Sequence, residues 1–343
     1  MNRFDIKYEI RLAKYDDIDN IMEFIHLNWK KDHILSRDRK YFEYEFLDED
    51  GVNFILAISR DTNKIEAILG FLKASNSKKK KDIWGSLWKV RDSQENEKLL
   101  GVELEKRVKE LTQCRYHNGI GLNPKTAVPL VRMFIGNTVK KMNHFYMLND
   151  TLGDYKIAVV NKIPHINISL QEAKIYEISD FSELKNKFSI NNNSNIPYKD
   201  EWYVEKKFFC NPKRKYKVYA INSEINEDLF DAFFITRECE GNGRKVLRIV
   251  DYYGDRRAFS RIGQNLRNYM LKEHYEYIDF YNWGFEKEYI LQAGFVEREK
   301  NCENIIPNYF EPFIRENCEI WIHFKEDETM FFKADGDQDR ANM

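Results

Sequence analysis

The chain has 343 residues, of which 43% are hydrophobic and 15% aromatic, enough apolar side chain for packed cores. Single cores stop growing near about 250–300 residues, so this length predicts two domains. The 55 lysines and arginines nearly balance the 56 aspartates and glutamates, for a formal net charge of −1. This balance argues against a general binder of nucleic acid or anionic membranes, because both functions need a basic surface.

The N-terminus and the cysteines bear on where the protein works. The first ten residues, MNRFDIKYEI, contain acids and no apolar run, so they do not resemble a signal peptide. No segment approaches the roughly 18 apolar residues of a membrane span. The five cysteines form no CxxC pair, which predicts neither a disulfide framework nor a metal site. Isolated thiols fit a reducing compartment, so we expect a cytoplasmic protein.

The first half of the chain predicts strands alternating with helices. Asp16 or Asp17 is placed to cap a helix with an apolar face, and a second helix carries leucines at helical spacing over 100–111. Asn123 followed by Pro124 predicts the start of a third helix, which Gly136 ends. The predicted strands are 9–13, 54–59, 65–72, 83–90 and 115–122, followed by β-rich sequence over 138–148.

The second half repeats this order. Its predicted strands are 174–178, 216–221, 230–236, 246–252, 277–281 and 319–324, and its predicted helices are 180–188, 258–272 and 285–293. Both halves therefore follow the order β-α-β-β-β-α-β-α-β, which predicts an α/β fold with mixed sheets and helices on both faces. We expect two domains, 1–150 and 151–343, with the seam near 150–172.

This element order is similar to that of the GCN5-related N-acetyltransferases. That family places a phosphate-binding signature, [QR]-x-x-G-x-[GA], after its fourth strand. The matching segment here, 98–103, keeps Gly101 but has Lys98 and Glu103 at the flanking signature positions. A later block, N-x-x-A-x-x-L-Y-x-x-x-G, is matched in order over 123–136. Val131 stands where the family has a tyrosine that protonates the departing thiolate.

Longer blocks resemble the tandem-domain sugar N-acyltransferases, which act on nucleotide-linked amino sugars. The blocks are HILSRDR (33–39), GLNPKTAVPL (121–130), DFYNWG (279–284), PNYFEPF (307–313) and KADGDQDR (333–340). The resemblance implies two domains like those of the GCN5-related N-acetyltransferases (GNAT-like domains), each a mixed, mostly antiparallel sheet flanked by helices. It also implies transfer of an acetyl or 3-hydroxybutanoyl group from acyl-coenzyme A. The implied acceptor is a dTDP-linked 3-amino-3,6-dideoxyhexose of surface polysaccharide biosynthesis.

The start of the helix near Gly101 is the expected coenzyme A site. A helix N-terminus offers free N–H groups to a pyrophosphate, glycine permits close approach, and Lys98 adds a point charge. The resemblance implies that the pantetheine arm pairs with strand 87–90, whose N–H groups stabilise an oxyanion. An ordinary loop with a surface lysine is the alternative. The expected coenzyme A contacts are Leu87, Trp88, Lys89, Val90, Lys98, Leu99, Gly101 and Asn123.

Acyl transfer to an amine needs a group that accepts a proton from the amine and one that protonates the thiolate. Asp38 is the candidate for holding or deprotonating the amine, with His33 as its partner or its alternative, because both lie in the segment that covers the acceptor in this family. A helix cap or salt bridge is the alternative for Asp38, and a loop histidine for His33. Tyr146, with His144 on the same face of a strand, is the candidate acid. Plain strand residues or a bound water are the alternatives there.

The acceptor is expected between the two halves. The second half has no glycine-rich signature, and its nearest stretch, 255–263, is rich in arginine, which suits a diphosphate. We therefore expect a degenerate second domain that binds the nucleotide-linked sugar and no second coenzyme A. A frayed tail is the alternative for the last three of its expected contacts. These contacts are Asp251, Tyr252, Asn282, Asn308, Tyr309, Asp335, Asp337 and Gln338.

Two other functions remain open at this point. One is transfer to a protein or peptidoglycan amine, although the charge balance disfavours a tRNA-dependent enzyme. The other is a non-catalytic sensor of coenzyme A, which the departures at Val131 and Glu103 motivate.

Overall fold

The computed structural model describes residues 2–341. The strands, in chain order, are β1 (Tyr8–Ala13), β2 (Leu47–Asp48), β3 (Gly51–Ser59), β4 (Ile65–Lys73), β5 (Asp82–Val90), β6 (Tyr116–Ile120), β7 (Thr138–Lys141), β8 (Asn143–Leu148), β9 (Ile175–Ile178), β10 (Lys217–Asn222), β11 (Phe230–Gly241), β12 (Arg244–Gly254), β13 (Tyr277–Trp283), β14 (Val296–Glu297), β15 (Tyr309–Phe310), β16 (Phe313–Ile314), β17 (Trp321–Phe324) and β18 (Phe331–Phe332).

The helices connect and cover these strands. They are α1 (Arg3–Lys7), α2 (Ile18–Asn28), α3 (Ile34–Arg37), α4 (Arg39–Phe46), α5 (Leu100–Thr112), α6 (Ala127–Leu130), α7 (Phe181–Lys187), α8 (Glu201–Val204), α9 (Gly263–Lys272) and α10 (Lys287–Gln292). Short 3-10 turns precede α2 and α9, and single π-turns extend α6 and α8.

The strands form two mixed sheets of the same design, which confirms the predicted fold class. The first has the order β1-β3-β4-β5-β6-β17-β7, and the second has the order β9-β10-β11-β12-β13-β8-β14. Each is antiparallel except for one parallel pair, β5 with β6 and β12 with β13. The loose repeat in the sequence is therefore a repeat of sheet topology.

The two sheets exchange one strand each. β8, from the first half of the chain, pairs with β13 of the second sheet, and β17, from the second half, lies between β6 and β7 of the first. The exchange crosses the predicted seam, so a cut at residue 150 does not separate the strands of one sheet from those of the other. The division into domains 1–150 and 151–343 stays a prediction.

The C-terminal segment fills the gap between β12 and β13. These parallel strands pair only over Leu247–Ile249 with Ile278–Phe280, and beyond that point β18 pairs with the end of β13. The Ala334 N–H donates to the Val250 carbonyl at 2.8 Å on the other side of the gap. The tail residues Asp335 and Asp337 accept hydrogen bonds from the Phe332 N–H at 2.9 Å and the Ser86 hydroxyl at 2.8 Å, so the predicted alternative of a frayed tail is wrong for them.

The hydrophobic core is shared by the two sheets. One buried cluster combines Trp84 and Ile120 of the first sheet with Phe233, Tyr253 and other residues of the second. Aromatic side chains bury large areas, so such a cluster couples the two sheets energetically.

Several boundaries differ from the predictions for local reasons. The Asn123 side chain accepts the Lys125 N–H at 2.9 Å in a turn, so the helix begins later, at Ala127. That helix ends at Gly136, which has a φ of 76°, as predicted. β11 and β12 are longer than predicted because Asn242 and Gly243, with φ of 50° and 74°, form a tight hairpin turn.

Candidate functional site

The parallel strands β5 and β6 separate partway along their length. They pair over Asp82–Gly85 with Tyr116–Gly119, and no further pairing between them occurs in the described chain, although β5 continues to Val90. A bulge at Ser86 and Leu87, opposite Gly70, bends β5 at this point. The result is a wedge-shaped cleft whose closed end is the Gly85–Gly119 pair.

A cavity of about 950 Å³ fills this cleft. It is bounded by β5 and β6, the start of α5, the loop before α6, the end of α2 and several residues of the second half. The residues that line it include Trp29, Gly85, Ser86, Trp88, Lys89, Val90, Leu99, Gly101, Glu105, Gly119, Asn123, Val131, Tyr309, His323 and Gln338. Its size matches a small-molecule site.

The N-terminus of α5 opens into this cavity. Leu99, with a φ of 69°, precedes the helix, and no described side chain caps its first turn. The Trp88 indole N–H donates to the Gly101 carbonyl at 2.9 Å, and a Cβ on Gly101 would lie 2.9 Å from that indole nitrogen. Glycine is therefore required for this approach, and the uncapped N–H groups favour an anion nearby.

Six of the eight expected coenzyme A contacts line the cavity. They are Trp88, Lys89, Val90, Leu99, Gly101 and Asn123. The other two lie elsewhere. The bulge in β5 turns Leu87 to the opposite face, where it is buried in the cluster formed by α2 and α4. Lys98 is exposed outside the lining residues, and its carbonyl accepts a hydrogen bond from Arg3.

Asp38 and His33 both act as helix caps. The Asp38 carboxylate accepts the Tyr41 N–H at 3.0 Å and lies 2.6 Å from the Lys213 ammonium, and these contacts hold its pKa below the usual value. The His33 Nδ1 accepts the Leu35 N–H at 3.2 Å, and burial lowers its pKa to about 4. Neither residue lines the cavity. The capping alternative stated for Asp38 accounts for its contacts, whereas His33 is a helix cap and not the loop histidine of its stated alternative.

The candidate acid Tyr146 lies in the other sheet. It belongs to β8, is 3% exposed, and contacts the Cys302 thiol at 3.6 Å and the Asn304 amide at 3.2 Å. Burial raises the pKa of Tyr146 to about 12. His144, on the same strand, lies 3.1 Å from the Asp279 carboxylate. The strand exchange thus carries both residues away from the cavity.

Three of the expected acceptor contacts lie at the first cleft. Tyr309 and Gln338 line the cavity, and Asp337 accepts a hydrogen bond from the Ser86 hydroxyl at 2.8 Å. A Cβ on Gly121 would lie 1.8 Å from the Gln338 amide nitrogen, so the tail packs directly on the loop after β6.

The other five expected contacts are buried in the second half. Lys199 lies 2.9 Å from the Asp251 carboxylate and 2.5 Å from that of Asp335. The Tyr252 hydroxyl donates to the Asp255 carbonyl at 2.6 Å, and the Arg248 guanidinium donates to the Asn308 side-chain oxygen at 3.2 Å. The Asn282 amide is buried with no hydrogen-bond partner among the described residues.

Three polar residues at the closed end of the cleft were not anticipated. Glu105 lies 3.1 Å from the His117 Nδ1, and the His117 ring meets the His323 ring edge-on at 5.7 Å. Burial tends to raise the pKa of Glu105, but His117 beside it brings the pKa below its usual value. The i, i+4 spacing of Gly101 and Glu105 would have placed Glu105 on the cavity face of α5. No sequence feature links His323 to this site.

Within residues 2–341, no helix is long and apolar enough to cross a membrane. The same residues contain no group of three or more histidine, cysteine, aspartate or glutamate side chains arranged to hold a metal ion.

Comparison with solved structures identifies the fold. No protein-family model and no curated protein matches the chain. A GCN5-related N-acetyltransferase from Anabaena variabilis ATCC 29413 matches with a TM-score of 0.55 at 10% identity, covering 92% of this chain and 72% of that chain. Another GCN5-related N-acetyltransferase, from Kribbella flavida, gives a TM-score of 0.51 at 12% identity, covering 93% and 71%. The chain therefore has the fold seen in GCN5-related N-acetyltransferases.

Proposed function

We propose that the protein transfers an acyl group from acyl-coenzyme A to an amine in the cleft between β5 and β6. The observation that carries this proposal is the cavity of about 950 Å³ at the separation of the two strands, with the uncapped N-terminus of α5 at its edge. A diphosphate fits such a helix end. A thioester is already activated, so positioning it against a neutral amine accounts for much of the catalysis.

The chain's own residues fit the acyl donor. Beyond Gly85, the edge of β5 that faces β6 is free to pair with the amides of a pantetheine arm. Trp88 holds the start of α5 against β5 through its bond to the Gly101 carbonyl. Backbone N–H groups along this edge suit the stabilisation of a tetrahedral oxyanion.

We further propose that the acceptor is a nucleotide-linked amino sugar, such as a dTDP-linked 3-amino-3,6-dideoxyhexose of surface polysaccharide biosynthesis. Tyr309 and Trp29 support this proposal because their rings line the cavity and are 39% and 46% exposed, which suits stacking on a base. The Gln338 amide and the nearby Asp337 carboxylate suit sugar hydroxyl groups.

Release of free thiol tests this function. The protein is mixed with acetyl-coenzyme A or 3-hydroxybutanoyl-coenzyme A and a panel of nucleotide-linked amino sugars, and free coenzyme A is followed with a thiol dye. We expect the release of free coenzyme A to depend on one particular amino sugar. The mass of that sugar should increase by the mass of the acyl group. Release only with peptide or peptidoglycan amines would replace the proposed acceptor. Tight binding of acyl-coenzyme A with no release for any amine would favour a sensor.

A further inference from the structure

His323 lies at the closed end of the cleft, where the three adjacent strands β5, β6 and β17 bring paired residues side by side. Gly85 of β5 pairs with Gly119 of β6, and Gly119 pairs with His323 of β17. Side chains at paired positions share a face of the sheet. The His323 ring accordingly covers Gly119, where an added Cβ would lie 2.2 Å from the ring Nε2. Only glycine leaves room for this ring beside the cavity.

One hydrogen bond, between Asn137 and His323, indicates which ring nitrogen carries the proton. The Asn137 side-chain nitrogen lies 2.9 Å from the His323 Nδ1, and an amide nitrogen only donates. Nδ1 is therefore the acceptor, and the neutral ring carries its proton on Nε2. Burial lowers the pKa of His323 to about 4, although Glu105 acts in the opposite direction, so the ring is neutral at pH 7.

The other titratable groups at this end of the cleft do not offer the cavity an N–H donor in place of His323. The Glu105 carboxylate faces the His117 Nδ1 at 3.1 Å. The His117 Nε2 is buried against Gly85, 3.1 Å from the position of an added Cβ, and has no hydrogen-bond partner among the described residues. His323 lines the cavity, and His117 does not. His323 therefore offers the cavity an N–H donor held in place by Asn137.

The part of β5 that is not paired with β6 has the length of a pantetheine arm, so a thioester bound along it lies near this donor. From Val90, beside the start of α5, to Gly85 the strand spans about 16 Å at about 3.3 Å per residue, comparable to an extended pantetheine arm. An arm whose pyrophosphate lies at α5 therefore ends near the Gly85–Gly119 pair. Val131, which lines the same cavity, offers no hydroxyl to a sulfur atom.

We propose that the His323 Nε2–H donates a hydrogen bond to the thioester sulfur as it departs and so stabilises the coenzyme A thiolate. This inference rests on the proposed acyl transfer. In the step, the acceptor nitrogen bonds to the carbonyl carbon and the carbon–sulfur bond breaks. The proton lost by that nitrogen ends on the sulfur. His323 keeps its own proton throughout and returns to the starting state.

The pKa of the bound coenzyme A thiol tests this proposal without turnover. Thiolate formation is followed by ultraviolet absorbance for free coenzyme A and for its complexes with the wild type, His323→Phe and His323→Gln. We expect the wild type to lower the thiol pKa by about one unit, as one charge-assisted hydrogen bond does, and the phenylalanine variant to abolish this shift. The glutamine variant, which keeps an N–H donor, should retain part of it.

Matched measurements separate this role from a structural one. His165→Phe, the same change at an exposed histidine, should leave the thiol pKa unchanged. His323→Phe should lower kcat at least tenfold with little change in the Kd of acyl-coenzyme A. If that variant does not fold, Asn137→Leu, which frees the ring, should still reduce the thiol shift.

Two results would overturn the proposal. One is an equal thiol pKa in the wild type, His323→Phe and Asn137→Leu complexes. With acyl transfer intact, that result removes the role of His323 and leaves the proposed function standing. The other is a wild type that binds no coenzyme A, which refutes the proposed function together with this inference.

Discussion

The neutral imidazole of His33 illustrates how one side chain makes local structure depend on pH. It is 5% exposed, and its Nδ1 accepts the Leu35 N–H at the start of α3. Protonation of Nδ1 removes this acceptor and places a charge in a buried site near Arg340. Burial and the nearby Arg340 charge disfavour the charged form, which is why the pKa of His33 falls from 6.5 to about 4.

The corresponding prediction concerns acid stability. The folded pKa of His33 lies below the unfolded value, so its contribution is complete above about pH 6.5 and is lost as the pH falls toward 4. Asn is a good helix cap that does not titrate. Between pH 7.5 and pH 5, we expect the wild type to lose about 1–2 kcal/mol more unfolding free energy than His33→Asn. Urea denaturation at both pH values measures this difference, and equal losses would contradict it.

Sequence patterns predicted single-residue roles well where the partner is close in the chain. The cap at Asp38 was one of the stated alternatives, because an acid before a helix has few other local uses. The predicted close approach of Gly101 to a pyrophosphate at the start of α5 stays a prediction, and the structure shows a close approach of Gly101 to the Trp88 indole. His323 was not predicted, because its neighbours Gly119 and Asn137 are brought to it only by the strand exchange.

The start of α5 is the element on which the proposed coenzyme A site depends. A side chain on Gly101 would meet the Trp88 indole at 2.9 Å and Val90 at 3.1 Å, and both of these residues line the cavity. Accommodating it requires α5 to move away from β5 or Trp88 to turn into the cavity. Either change alters the helix N-terminus that would hold the pyrophosphate.

We therefore predict that Gly101→Val weakens the binding of acyl-coenzyme A about 5- to 150-fold, because overpacking costs about 1–3 kcal/mol and 1.4 kcal/mol is a factor of ten. Isothermal titration calorimetry measures this change. Gly153→Val is the matched control, because an added Cβ there has no neighbour within 4 Å. Unchanged affinity in Gly101→Val would mean that acyl-coenzyme A binds away from α5.

At the level of elements, most strands and long helices follow from periodicity and turn residues. The sheet strands from β3 to β6 and the helices α2 and α5 lie within a few residues of their predicted positions. The short elements were missed, because α4, α8 and the β15–β16 hairpin are stabilised by packing and carry weak local patterns. The pairing partners of β8 and β17 were also beyond prediction, since hydrophobic alternation does not specify which sheet a strand joins.

The strand exchange makes the two sheets mutually dependent. β8 and β17 each complete the sheet of the other half, and the C-terminal segment runs from the gap in the second sheet to the cleft in the first. Near its end, Arg340 lies 3.0 Å from Glu45 of α4 and 3.1 Å from the Ser86 hydroxyl. A single chain segment therefore supports both the second core and one wall of the proposed active site.

The last prediction tests this dependence. Phe332 is 2% exposed in the core of the second sheet, so Phe332→Ala should cost about 3–5 kcal/mol through the cavity it leaves. Because the sheets share strands, we expect hydrogen exchange to accelerate in β3 and β4 of the first sheet as well as in β11 and β12 of the second. Leu170→Ala removes a fully exposed side chain and should change neither sheet. Faster exchange confined to the second sheet would show that the two sheets unfold independently despite the exchanged strands.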